Sequence, residues 1–84
     1  MTFKVGDRVK WISSHTPKEG VVTHVVLPGQ RPKHVGVFNA GGGGMSRDHD
    51  SYIVRGQKVD HRGEVQRRAA NYWPIVSLLE ADAS

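Results

Sequence analysis

The chain contains no cysteine, which excludes disulfide staples and thiolate-held metals as supports for the fold. That absence is compatible with a reducing compartment. Long apolar runs are missing as well. Stretches such as Val25-Val26-Leu27 and Pro74-Ile75-Val76 fall far short of the roughly 20 residues of a membrane span. The opening Met1-Thr2-Phe3-Lys4-Val5-Gly6-Asp7 lacks the apolar centre of a secretory leader, so the expected location is the cytoplasm, with no membrane partner. Aromatics make up only 7% of the residues, which leaves few large side chains beyond what a core needs. Helical periodicity is nearly absent, because 10 glycines and 4 prolines are spread along the chain and both interrupt helices. Nor is there a serine in a recognisable nucleophile elbow, which together with the missing cysteine counts against an enzyme.

The 84 residues are enough for one domain with a thin core. Twelve Lys and Arg stand against eight Asp and Glu, a formal net charge of +4. A basic balance favours encounter with nucleic acid, phosphates or acidic proteins, and it also serves solubility.

Short β-branched segments between turn signals predict strands. In Arg8-Val9-Lys10-Trp11-Ile12, Val9 and Trp11 alternate with charged residues, after a turn at Val5-Gly6-Asp7. Gly20 to Leu27 is apolar on both parities, which predicts one core face and a second face partly covered; Pro28-Gly29 ends it. Residues 28–50 read as a long irregular connection, with a short strand over His34 to Phe38 and then the tract Gly41-Gly42-Gly43-Gly44. Ser51 to Arg55 is the clearest strand and extends toward Val59. Asp60-His61-Arg62-Gly63 reads as a hairpin turn, with Glu64 to Trp73 as the returning strand, stopped by Pro74. Val76 to Glu80 fits one helical turn or a last short strand, and 81–84 a frayed tail. Val9, Trp11, Val54 and Leu78 are the expected filling.

Phe3-Lys4-Val5-Gly6-Asp7-Arg8-Val9-Lys10-Trp11, followed by Glu19-Gly20-Val21-Val22-Thr23-His24-Val25, resembles the opening of small bacterial SH3-like barrels, of which KOW and Tudor-like domains are members. Tyr72-Trp73-Pro74-Ile75-Val76-Ser77-Leu78-Leu79 looks like the last strand, turn and tail of such barrels. The resemblance covers the two ends and implies an all-β, SH3-like barrel of about five strands; the expected fold adds to it the long glycine-rich loop, which lies outside the match, and a short C-terminal helical turn. It specifies a fold and leaves the role open, because such barrels host many unrelated functions. KOW modules often contact RNA or protein. Tudor-type modules hold methylated side chains in aromatic cages, which this aromatic content would hardly furnish. The small plasmid-borne dihydrofolate reductases share the plan, but their Val-Gln-Ile-Tyr run is replaced here by Ala70-Asn71-Tyr72-Trp73, so their activity is not carried over.

Among side-chain groups, Arg55, Lys58, Arg62, Arg67 and Arg68 lie on or beside the predicted hairpin. If the turn is at 60–63, Arg55 falls roughly opposite Arg68. Like charges facing each other on a sheet repel, and an anion between them relieves the repulsion. Arginine forks suit phosphate oxygens, and Tyr72 or Trp73 is a candidate for stacking a base. The same residues also read as a solvated face over core aromatics. The glycine tract lacks the lysine and helix of a phosphate loop. Asp48-His49-Asp50 has metal-ligand residue types, but neighbours in a strand point to opposite faces. His15, His24, His34, His49 and His61 show no paired ligand spacing, and His24 reads as a partly buried strand residue. No metal and no cofactor are therefore expected. The leading reading is a non-enzymatic binding module whose basic face engages an anionic partner, nucleic acid first. Alternatives are a protein-interaction or homo-oligomeric assembly module using apolar outer positions, and a small enzyme with its site at a symmetric interface.

Overall fold

The computed structural model describes residues 2–13, 15–42, 49–60 and 62–82. Six strands, β1 (Arg8–Ser13), β2 (Thr16–Val26), β3 (Ala40–Gly42), β4 (Ser51–Lys58), β5 (Ala70–Trp73) and β6 (Glu80–Ala81), form one sheet in the order β3-β5-β4-β2-β1-β6. The five from β6 to β5 are antiparallel throughout, and β3 adds to β5 in parallel. The only helical pieces among the described residues are two 3-10 turns, Pro32–Val35 and Val76–Leu78. The all-β expectation holds. Among the described residues no pairing joins β3 or β5 to β6, so the strand ladder stays open and does not close into a barrel.

The sheet is covered on both sides, and β2 explains how. Val22 pairs with Val54, but the register slips at Thr23, so that His24 faces Ile53, Val25 faces Tyr52 and Val26 faces Ser51. The bulge inserts one residue and inverts the parity of the rest of the strand. Thr23 fills the gap by donating its Oγ1 hydrogen to the Ile53 carbonyl at 3.2 Å. Val22 therefore joins Val9, Trp11, Tyr52, Val54 and Leu79 on the first face. Val26 joins Ile53, Trp73 and Val37 on the second. Within β4 and β5 the alternation is direct, because Tyr52, Val54 and Tyr72 serve the first face and Ile53 and Trp73 the second. The doubly apolar run from Gly20 to Val26 thus reports a strand with one residue in each core, Val22 and Val26, while Val21 on the second face is exposed.

Two glycines set the closest approach in the sheet. Gly20 pairs with Gly56, and a Cβ at Gly20 would stand 2.4 Å from the Arg55 carbonyl oxygen. A Cβ at Gly56 would meet the Glu19 carbonyl oxygen at 2.5 Å and the Trp11 ring at 3.3 Å. The missing side chains let β2 and β4 lie close while Trp11 spreads over the bare backbone.

Several expectations need correction. Residues 34–38 are not a strand: Pro32 starts a 3-10 turn that ends at Gly36 in the left-handed region, φ 84°. The extended segment comes later, in Ala40–Gly42, where backbone without bulky side chains adds along β5. The returning strand begins at Ala70, not Glu64. Before it, among the described residues, only a single bridge, Val59 with Val65, extends the hairpin. Arg55 consequently stands opposite Asn71 and not Arg68. Leu78 is 39% exposed, whereas Leu79 is 7% exposed and fills the first face. The 3-10 turn over Val76–Leu78 rotates the chain by one residue relative to the expected placement. The predicted turns at 5–7 and 28–29 do form, with Asp7 N–H bonded to the Lys4 carbonyl at 3.0 Å and Gln30 N–H to Leu27 at 3.0 Å.

Candidate functional site

The second face divides into a covered half and an open half. Val35 and Val37, on the loop between β2 and β3, pack over Ile53, Trp73 and Val26. Beyond them the alternation of β1, β2, β4 and β5 places one cross-strand row on the same face: Arg8, Val21, Arg55 and Asn71. The next row along is Glu80, Lys10, Glu19 and Gln57.

Charge is distributed unevenly over these rows. Lys10 stands between two carboxylates, Glu19 and Glu80, in the register. Arg8 lies 4.0 Å from Asp82. Among the described residues Arg55 meets only the neutral amide oxygen of Asn71, at 3.4 Å. Gln57 donates its amide to the Arg67 carbonyl at 3.4 Å, which holds the backbone at Arg67 beside this face. Arg55, Arg67 and Arg68 are exposed, and among the described residues none of them forms an ion pair with a carboxylate. Five cationic and two acidic side chains fall between Arg55 and Arg68. One of those acids, Asp60, is turned to its own backbone, where Oδ1 accepts the N–H groups of Arg62 and Glu64 at 2.9 Å. Gly63, at φ 81°, completes that turn, its N–H bonded to the Asp60 carbonyl at 2.9 Å.

The other predicted site residues are distributed differently. Lys58 is three positions from Arg55 in a regular strand and belongs to the first face, opposite Lys18. Arg62 sits at the hairpin tip, away from the row. Trp73 is 2% exposed, with its indole N–H donated to the Ser51 hydroxyl at 2.7 Å. Tyr72 is half-buried, edge-on to Trp11 at 5.6 Å between ring centres. Both aromatics therefore belong to the packing of the sheet. His24 is half-buried with Nδ1 3.0 Å from the Thr23 hydroxyl. Residues 43–48, and with them Asp48 and the second half of the glycine tract, lie outside the described residues, as does His61.

Lys18 went unremarked in the sequence because nothing local marks it. It is 7% exposed. Its ammonium donates to the Ser13 carbonyl at 3.1 Å and the Ser13 hydroxyl at 2.7 Å, and lies 5.8 Å over the Tyr72 ring. Burial, and then the charge of Lys58, pushes its pKa below the ordinary lysine value. Two acceptors and an aromatic face satisfy the charged amine without a carboxylate, which makes Lys18 part of the structure of the β1–β2 hairpin. Phe38 also escaped notice. It ends the segment expected as a short strand and is 81% exposed.

The chain matches no protein-family model, no characterised protein and no solved structure.

Proposed function

We propose that this chain is a non-enzymatic binding module whose second face engages an anionic partner, nucleic acid first. The observation that carries the reading is Arg55 on this face, with the Arg67 backbone held beside it through Gln57 and Arg68 next in sequence, all three exposed and without carboxylate partners among the described residues. Unpaired guanidinium groups on a sheet surface have donors to spare, and phosphate oxygens fit them in pairs. An SH3-like plan is consistent with this reading. The order β6-β1-β2-β4-β5, with a 3-10 turn before the last strand, is the meander expected of that fold, with β3 as an addition to its edge. Such a plan offers a scaffold and decides no function by itself.

Fluorescence anisotropy with a labelled oligonucleotide tests the proposal. Binding should weaken steeply between about 50 and 200 mM salt, because each phosphate contact releases counterions. The triple variant Arg55→Ala, Arg67→Ala, Arg68→Ala should remain folded, lose affinity and show a shallower salt slope. Wild-type protein that binds no oligonucleotide at the lower salt overturns the proposal.

A second reading has one observation behind it. Ile12, Pro17 and Val59 line a shallow cleft at the far end of the sheet with Lys10, Glu19 and Glu80. Ile12 is exposed there. An assembly contact, between copies of this chain or with another protein, would cover that apolar strip. Light scattering over a range of concentrations distinguishes the two, since an oligomer that ignores nucleic acid fits only the second.

A further inference from the structure

The loop from Leu27 to Ala40 has three properties that do not follow from packing. It contains no acidic residue, and indeed none occurs from Gly20 to Arg47. It presents Arg31 and Lys33 to solvent. And it leaves Phe38 81% exposed although the preceding Val37 is 8% exposed and packed beneath the loop. The other aromatics, Phe3, Trp11, Tyr52, Tyr72 and Trp73, are buried or half-buried. Phe38 is thus an aromatic the core does not use.

Its position gives that exposure a consequence. Val37 packs on the second face, over Ile53 and Trp73. Two residues beyond Phe38, Ala40 pairs with Asn71, which pairs with Arg55. With neighbouring strands about 4.8 Å apart, Ala40 lies about 10 Å from Arg55 across the sheet. Phe38 thus directly follows a residue packed on the second face and precedes by two residues a strand that lies two strands from Arg55.

We propose that Phe38 stacks on an unpaired base, so that the ligand of this face is single-stranded nucleic acid, its phosphates held by Arg31 and Lys33 on one side and by Arg55 on the other. The inference rests on the anion-binding reading above and narrows it. An exposed ring on a loop whose cations form no ion pair among the described residues matches a polymer that alternates flat π-faces with negative charge. A duplex hides its bases in the stack and gives Phe38 nothing to cover. Phe38 supplies stacking without regard to base identity, so sequence preference is expected to be weak.

The test uses the full chain and two labelled probes, an oligothymidylate of about 12 nucleotides and a duplex of similar length, with Phe38→Ala, Phe38→Trp and Arg55→Ala variants. Phe38→Ala should weaken binding of the single strand about 5- to 150-fold. It should leave both duplex binding and the salt slope unchanged, since no charge is removed. Phe38→Trp should keep the affinity and show quenching of its exposed indole by the single strand. Arg55→Ala should weaken both probes and reduce the single-strand salt slope by about 0.7. If wild-type protein binds both probes and Phe38→Ala changes neither, the stacking inference fails while the basic-face reading stands. If wild-type protein binds neither probe, both fail. Phe38-dependent binding to anionic lipid vesicles, without binding of the single strand, overturns the inference in favour of a membrane surface.

Discussion

Replacing Gly56 by alanine should destabilise the domain through a contact that can be measured in advance. The added Cβ would lie 2.5 Å from the Glu19 carbonyl oxygen and 3.3 Å from the Trp11 ring. Ordinary contact begins near 3.4 Å, so β2 and β4 would have to part by about 0.9 Å in a region packed to crystal-like density. The nearest obstacle is backbone, so no rotamer change relieves it. Overpacking of this kind costs about 1–3 kcal/mol. Restricting the unfolded chain returns about 0.4–1 kcal/mol. Taken at the centres of both ranges the remainder is about 1.3 kcal/mol, which lowers the melting temperature of a domain this size by about 5–10 °C. Thermal unfolding followed by circular dichroism reads it directly. Gly20→Ala should behave alike, with its Cβ 2.4 Å from the Arg55 carbonyl oxygen. The double variant should cost less than the two added together, because one separation of the strands relieves both clashes. A Gly56→Ala protein that melts at or above the wild-type temperature would refute the close approach of β2 and β4.

Three further outcomes follow from single side chains. Ser51→Ala removes the hydroxyl that accepts the Trp73 indole N–H at 2.7 Å in a buried site, and should cost about 0.5–3 kcal/mol by urea denaturation. His15 occupies the β1–β2 hairpin loop at φ 62°, so His15→Gly should raise stability by about 0.5–1 kcal/mol, visible as a higher melting temperature. Lys18 has a pKa lowered from 10.5 by burial and by Lys58. Between the folded value and 10.5 the unfolded chain keeps a proton that the native state has released, so stability should rise with pH in that window. Denaturation midpoints of wild type and Lys18→Met across the window should differ by that rise, which the variant lacks.

The sequence makes some of this architecture legible and hides the rest for physical reasons. Alternation in β1 and the turn residues at 5–7, 28–29 and 60–63 act locally, and those elements form where their residues predict. Placements that depend on a register set elsewhere are not local. The bulge at Thr23 moves Val26 to the second face, and no property of Thr23 announces it. The 3-10 turn over Val76–Leu78 exchanges Leu78 for Leu79 in the core, a one-residue shift between identical side chains. The basic residues of 55–68 are visible as composition. That Lys58 is on the opposite face from Arg55 follows from alternation along β4, whereas the placing of the segment at Arg67 beside Arg55 depends on where β5 begins. Phe38 is hidden most thoroughly, because an aromatic beside Val35 and Val37 reads as strand core, and the turn begun by Pro32 leaves it in solvent.

Whether anions dock on this surface is tested most directly by following backbone amide resonances during titration with a short single-stranded oligonucleotide. The account predicts shifts concentrated at Arg55, Gln57, Arg67, Asn71 and the loop from Arg31 to Phe38, with Val9 and Leu79 on the other side unmoved. Changes confined to the Ile12, Pro17 and Val59 end, or a spectrum that does not respond, would contradict it.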